Sequence, residues 1–136
     1  MNKIEPYTFI FDLDNTLVNT DALKIGINCN INPYNTIKKD IELQELLSKI
    51  KNKKIIFSNA MDCHINSVLY ALGIQDYISN IIDRNITKTL KPNLNSYITT
   101  LENIDITDIN RCIFFDDLVQ NLITAKYIGW VTIHIS

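Results

Sequence analysis

Two aspartates, Asp12 and Asp14, stand two residues apart directly after an apolar run from Tyr7 to Phe11. Side chains alternate along an extended chain, so both carboxylates leave the backbone on one side if the strand continues through them. A second acid pair, Asp116-Asp117, follows another apolar run, Cys112 to Phe115. Between the two, Ser58-Asn59 ends the run Ile55-Ile56-Phe57, and Lys91 precedes Pro92. Four carboxylates in one place repel one another, at a cost on the order of 4 kcal/mol per pair at ~4 Å for an effective dielectric of about 20. A divalent cation relieves that repulsion, and an all-oxygen donor set without His or Cys favours Mg2+ over zinc or copper. Mg2+ shares its coordination positions with substrate phosphate oxygens. Lys91, the Ser58 hydroxyl and the backbone N–H groups around Asn59 supply donors for the same anion. Such a set suits phosphoryl transfer, which is mostly positioning and charge neutralisation. One acid can serve as nucleophile through an aspartyl-phosphate. A second, two residues on, can protonate the leaving oxygen and then activate water.

The elements that must position these groups follow from the patterning. Apolar runs at Tyr7 to Phe11, Ile55 to Phe57, Ile81-Ile82, Cys112 to Phe115 and Trp130 to Ile135 predict five strands. Helical spacing predicts helices through Leu43, Leu46, Leu47 and Ile50, with Asp40 as N-cap, and through Ile65, Val68, Leu69 and Leu72, closed by Gly73. A further helix opens at Lys91-Pro92 with Leu94, Tyr97, Ile98 and Leu101 facing inward, and a last one carries Leu118, Leu122 and Ala125. Alternating strands and helices are the signature of an α/β domain. The expected fold is a three-layer, Rossmann-like, mainly parallel five-stranded sheet with helices on both faces. In a parallel sheet the carboxyl ends of the strands share one edge, so the three polar pairs should converge on one crevice. Residues 17–40 read as loop-rich, with a small hairpin over Ile25, Ile27 and Ile31. Lys51, Lys53 and Lys54 read as a solvated helix end, His64 as a solvated or capping residue in preference to one that faces the substrate, His134 as structural, and Trp130 and Tyr127 as core.

With 136 residues the chain suits one domain, 1–136, with a core of its own. A formal charge of -2 with both signs interspersed makes no case for nucleic acid or a membrane surface. Cys29, Cys63 and Cys112 show no zinc spacing and are expected as reduced thiols in a cytoplasmic protein.

Taken in order, Asp12-x-Asp14-x-Thr16, Ser58-Asn59, Lys91-Pro92 and Asp116-Asp117 resemble the motifs of the haloacid-dehalogenase-like (HAD) hydrolases. The stretch from Ser58-Asn59-Ala60 through Leu72-Gly73-Ile74 to Phe115-Asp116-Asp117 looks most like the pyrimidine 5'-nucleotidase branch. The resemblance implies Asp12 as nucleophile and metal ligand, and Asp14 as general acid/base whose main-chain carbonyl also meets Mg2+. It implies phosphate binding by Ser58, Asn59 and Lys91, and completion of the metal site by Asp117 with Asp116 beside it. Asp14 argues against dehalogenation, because family members acting on carbon halides do not need that second acid. Asn121 stands where many members place another acid. Capped members insert a helical bundle where this chain has only residues 17–40, so the cap is missing or reduced. The expected function is a Mg2+-dependent phosphomonoester phosphatase acting on a nucleotide or another small phosphoester, with a partner or oligomer covering an open site.

Two other classes share parts of the pattern. A receiver-type signalling domain has a phospho-accepting Asp and an acid pair, but places the pair on its first strand and the acceptor later, the reverse of the order here. A non-catalytic module of the same fold would have no need to keep every catalytic position.

Overall fold

The runs of branched and aromatic residues become five strands: β1 Thr8–Phe11, β2 Lys54–Phe57, β3 Asn80–Ile82, β4 Cys112–Asp116 and β5 Val131–His134. The structure, a computed structural model, describes residues 7–23, 34–104 and 111–136. All four strand pairings are parallel, and the sheet order is β3-β2-β1-β4-β5. β1 is therefore central, with β2 on one side and β4 on the other, and the strand order reverses across it. Ligands bind outside the carboxyl ends of such a switch point.

Alternation along the strands divides the core in two. Phe11 and Ile56 face α2 (Ile41–Lys49) and α3 (Asp62–Leu72) through Leu47, Ile65, Val68, Leu69 and Leu72. Ile10, Ile55, Phe57 and Phe114 face the opposite layer, α5 (Leu94–Asn103) and α6 (Val119–Tyr127), through Tyr97, Leu122 and Ala125. This is the expected three-layer α/β sandwich. Among the described residues there are also two short α-helices, α1 (Thr20–Leu23) and α4 (Arg84–Thr87).

The local signals hold where they have a named partner. The Asp40 carboxylate accepts from Leu43 N at 3.0 Å and caps α2. Gly73 ends α3 at φ 78, a left-handed conformation that glycine adopts without a Cβ penalty. Four expectations need correction. Lys54 is not part of a solvated helix end: it is buried in β2, and its ammonium caps the Ile50 and Asn52 carbonyls beyond α2. α5 starts at Leu94, two residues after the cis Lys91-Pro92 peptide, with Asn93 as its cap. Its inner face carries Tyr97 and Leu101, as expected, together with Ser96 and Thr100, while Leu94 and Ile98 point outward. The two hydroxyls can be buried because they bond helix carbonyls, Ser96 Oγ to Asn93 O and Thr100 Oγ1 to Ser96 O. Tyr127 lies exposed on the outer side of α6, whereas Trp130 is core. Cys63 is disulfide-bonded, which corrects the expectation of three reduced thiols and removes thiol state as an argument for a reducing compartment; Cys112 is buried and is not in a disulfide. The hairpin expected at Ile25, Ile27 and Ile31 lies outside the described residues.

Candidate active site

β1 delivers Asp12 to the middle of the sheet edge. The chain then turns sharply. Asn15 takes a left-handed conformation at φ 63, and Leu13 O receives the N–H groups of Thr16 and Leu17. Asparagine tolerates this region better than most side chains. The turn folds Thr16 back so that its Oγ1 donates to Asp12 Oδ2 at 3.1 Å. The other oxygen, Asp12 Oδ1, accepts from Lys91 Nζ at 3.0 Å. Lys91 also donates to Asp116 Oδ2 at 3.2 Å and to the Phe57 carbonyl at 2.7 Å. Its ammonium lies over the Phe57 and Phe114 rings, 4.8 and 5.3 Å from their centroids.

Asp116 is the last residue of β4 and wholly buried, inside the strand rather than past its end. Such a charge is tolerable only with partners. It has three: Lys91, the Leu118 N–H at 2.9 Å and Asn121 Nδ2 at 3.1 Å. Asp117 follows, partly exposed, with its carbonyl accepting from His134 Nε2 at 2.9 Å. Carboxylate oxygens of Asp12, Asp116 and Asp117 all lie within 4.8 Å of one another.

Ser58 follows β2 and is buried, its Oγ accepting from Ala60 N at 3.0 Å, so its proton remains available to a ligand. The Asn59 amide spans the gap to Lys91: its Oδ1 accepts from Lys91 N at 2.8 Å and its Nδ2 donates to Lys91 O at 3.2 Å. The side chain thus braces the lysine, and its second Nδ2–H and the Asn59 backbone are left to meet an anion. Asp14 pairs with His64, Nε2 to Oδ1 at 2.8 Å, and His64 Nδ1 meets the Tyr34 hydroxyl at 2.7 Å. His64 has no exposed surface, so the expectation of a solvated or capping histidine is corrected. Nothing in its sequence neighbourhood shows the partner fifty positions away. Its place one turn after Ser58-Asn59-Ala60 was the available signal.

The crevice holding these groups is about 260 Å³ and is lined by Asp12, Asp14, Ser58, Asn59, Lys91 and Asp117, among others. A second hollow of about 550 Å³, reaching His134 and Ser136, shares Asn15, Asp21 and Asp117 with it. Burial pushes the Asp12 carboxyl up to about 7, against the pull of Lys91 and with the push of Asp116. Two observations fit a divalent cation here. Three carboxylates converge with a single ammonium between them. The Asn121 Oδ1, buried on the crevice wall, has no hydrogen-bond partner, which leaves an acceptor for a bound water.

A central parallel strand delivering an Asp-x-Asp pair, with Ser, Lys and an acid pair from the flanking segments, defines a HAD-like hydrolase. Residues 7–130 match the family model of the NLI interacting factor-like phosphatases. The chain belongs to that family. Among solved structures it is similar to a HAD-superfamily hydrolase from Ehrlichia chaffeensis, with TM-score 0.68, 21% identity, and coverage of 98% of this chain and 89% of that one. It is also similar to the HAD-hydrolase YfnB from Bacillus subtilis bound to magnesium, with TM-score 0.73, 13% identity, and coverage of 96% and 89%. A third is the L-2-haloacid dehalogenase from Xanthobacter autotrophicus with chloropropionic acid covalently bound, with TM-score 0.65 and 19% identity. That match covers 75% of this chain, which spans only 42% of the dehalogenase's length. At these identities the likeness shows the fold. Among the described residues no helix is long and apolar enough to cross a membrane.

Proposed function

We propose that this chain is a Mg2+-dependent phosphomonoester phosphatase that works through an aspartyl-phosphate on Asp12. One observation carries the reading: the Lys91 ammonium bridges Asp12 and Asp116, which fixes the proposed nucleophile beside an acidic cluster and leaves its other face to the crevice. Asp12, Asp116 and Asp117 would hold the cation, with the Asp14 main-chain carbonyl and a water on Asn121 Oδ1 completing its surroundings. When bound, the ion neutralises phosphate charge and keeps Asp12 ionised.

The chain's own residues then divide the work. The Asp12 carboxylate attacks phosphorus, and the bond from phosphorus to the leaving oxygen breaks as that oxygen takes the Asp14 proton. The leaving alcohol departs. Asp14, now a carboxylate, takes a proton from water, whose oxygen attacks the phosphoryl group. Inorganic phosphate leaves, Asp12 is free again, and Asp14 is again protonated. The Ser58 hydroxyl, the N–H groups around Asn59 and Lys91 donate toward the charge that develops.

The match to a dehalogenase is one of fold, and the Asp14–His64 pair favours phosphate over halide chemistry, because a halide leaves without a proton. The hollow beside the crevice offers room for a nucleoside- or sugar-sized leaving group. The likeness of Ser58-Asn59-Ala60 and Leu72-Gly73-Ile74 to the nucleotidase branch supports testing nucleotides first, and a partner or second copy would close the site over them. Release of inorganic phosphate from an aryl phosphate, with Mg2+ and with chelator, tests the reading. Activity that needs Mg2+ and vanishes in a folded Asp12→Asn variant supports it. Full activity in that variant would end it.

A further inference from the structure

An acid/base at Asp14 needs one oxygen held and the other carrying the proton toward substrate. The structure supplies the hold. His64, from the first turn of α3, places Nε2 at 2.8 Å from Asp14 Oδ1. On its far side Nδ1 lies 2.7 Å from the hydroxyl of Tyr34, which is carried by the 3-10 turn Tyr34–Thr36 packed against α3. Both rings are buried, with centroids 5.5 Å apart, whereas the Asp14 side chain keeps 17% of its surface at the crevice. A neutral imidazole has one N–H, and an ionised carboxylate only accepts. For that neutral ring beside an ionised Asp14, the arrangement that fits both contacts has Tyr34 O–H donating to Nδ1 and Nε2–H donating to Oδ1. The opposite polarity would place the Asp14 proton on Oδ1, pointing into the core and away from the crevice.

We propose that His64, set in one tautomer by Tyr34, is a positioning residue that occupies Asp14 Oδ1 and so directs the catalytic proton to Oδ2. The inference rests on the phosphatase reading above and adds to it two residues outside the family's motifs. A buried histidine with both nitrogens engaged is a costly way to fill space that leucine would fill. Its return is a carboxyl group held in one orientation on the crevice wall.

The test is the dependence on leaving group, because an aryl oxide departs with little help and an alkoxide needs its proton. We expect His64→Leu to lower kcat/KM for an alkyl phosphate by about a hundredfold or more, the usual scale of general acid catalysis, while p-nitrophenyl phosphate loses about tenfold or less. His64→Gln, which can keep an N–H near the Nε2 position, should recover much of the alkyl activity. Tyr34→Phe should show the same selective loss, smaller in size. Circular dichroism accompanies each variant; if His64→Leu does not fold, His64→Gln and Tyr34→Phe carry the comparison. Equal losses on both substrates in folded variants, or a His64→Gln variant that discriminates against alkyl phosphate as strongly as His64→Leu, would overturn the inference. A wild type that hydrolyses neither substrate overturns the phosphatase reading instead, and this inference with it.

Discussion

Lys91 Nζ stands 3.0 Å from Asp12 Oδ1 and 3.2 Å from Asp116 Oδ2, so one ammonium holds two buried carboxylates, one directly after β1 and the other at the end of the adjacent β4. Burial of these charges is tolerable only while all three are present. Replacing a buried ion pair whole can be neutral, but removing one partner strands the rest, at about 3–5 kcal/mol. Lys91→Met should therefore destabilise the chain by about that much, measured by urea unfolding in chelator, and abolish phosphatase turnover. Mg2+ should restore more stability to this variant than it adds to the wild type, because the cation replaces part of the missing positive charge.

The raised Asp12 carboxyl makes a pH prediction whose sign differs from that of an ordinary paired aspartate. Its ordinary value is 3.8, and burial moves it to about 7 in the folded chain. Between those values the native state holds a proton that the unfolded chain has released. The contribution of Asp12 to stability is thus fully present below 3.8 and is lost as pH rises through about 7. Each pKa unit corresponds to about 1.4 kcal/mol, so the loss is on the order of a few kcal/mol. Urea unfolding in chelator from pH 4.5 to 8 should show this decline, and Asp12→Asn should flatten it. A wild-type stability that climbs across the same range would contradict the assignment.

The Asn59 amide gives a third prediction, because it joins two motifs that are distant in sequence. Its two bonds to the Lys91 backbone fix where the lysine enters the crevice. Asn59→Ala leaves the Lys91 N–H without its acceptor, a loss of about 1–3 kcal/mol for a part-buried group. Lys91 should then be less well placed, so kcat should fall more than KM rises on an aryl phosphate. Asn59→Asp should keep the acceptor for Lys91 N and lose the donor, and should fall between wild type and Asn59→Ala in stability.

What could be read in advance divides along physical lines. Strands and their polar ends were legible because a strand buried on both faces must be apolar, and an acid directly after such a run has few places to go. That reasoning placed Asp12, Ser58 and the Asp116-Asp117 pair on one edge. It missed that Asp116 lies inside β4, since tolerance of a buried charge depends on Lys91 and Asn121, which arrive from elsewhere. On α5 the pattern found Tyr97 and Leu101 but not Ser96 and Thr100, whose burial depends on hydroxyl bonds to helix carbonyls, invisible to a hydrophobic pattern. The Tyr34–His64–Asp14 chain was missed for the same reason: each link joins residues far apart in sequence, and only the fold shows the partner. Lys54 was misread because a lysine in a basic run looks solvated until its ammonium meets two carbonyls.

Asn121 supplies the last prediction, because it stands on the crevice wall with one amide atom engaged and the other free. Its Nδ2 donates to Asp116 Oδ2, and its Oδ1 is buried without a partner. Asn121→Asp exchanges that donor for a carboxylate beside a fully buried one. Without metal the change removes a hydrogen bond and adds a like charge, so the chain should lose stability in chelator. With Mg2+ the same carboxylate becomes a further oxygen for the ion, and binding should tighten. A ligand that binds only the folded state stabilises it in proportion to the logarithm of its concentration over Kd. The gap in Tm between Mg2+ and chelator should therefore be wider in Asn121→Asp than in wild type, with the two proteins converging as Mg2+ is raised. An unchanged gap would mean that Asn121 does not face the ion, and that the free amide oxygen serves some other group in the crevice.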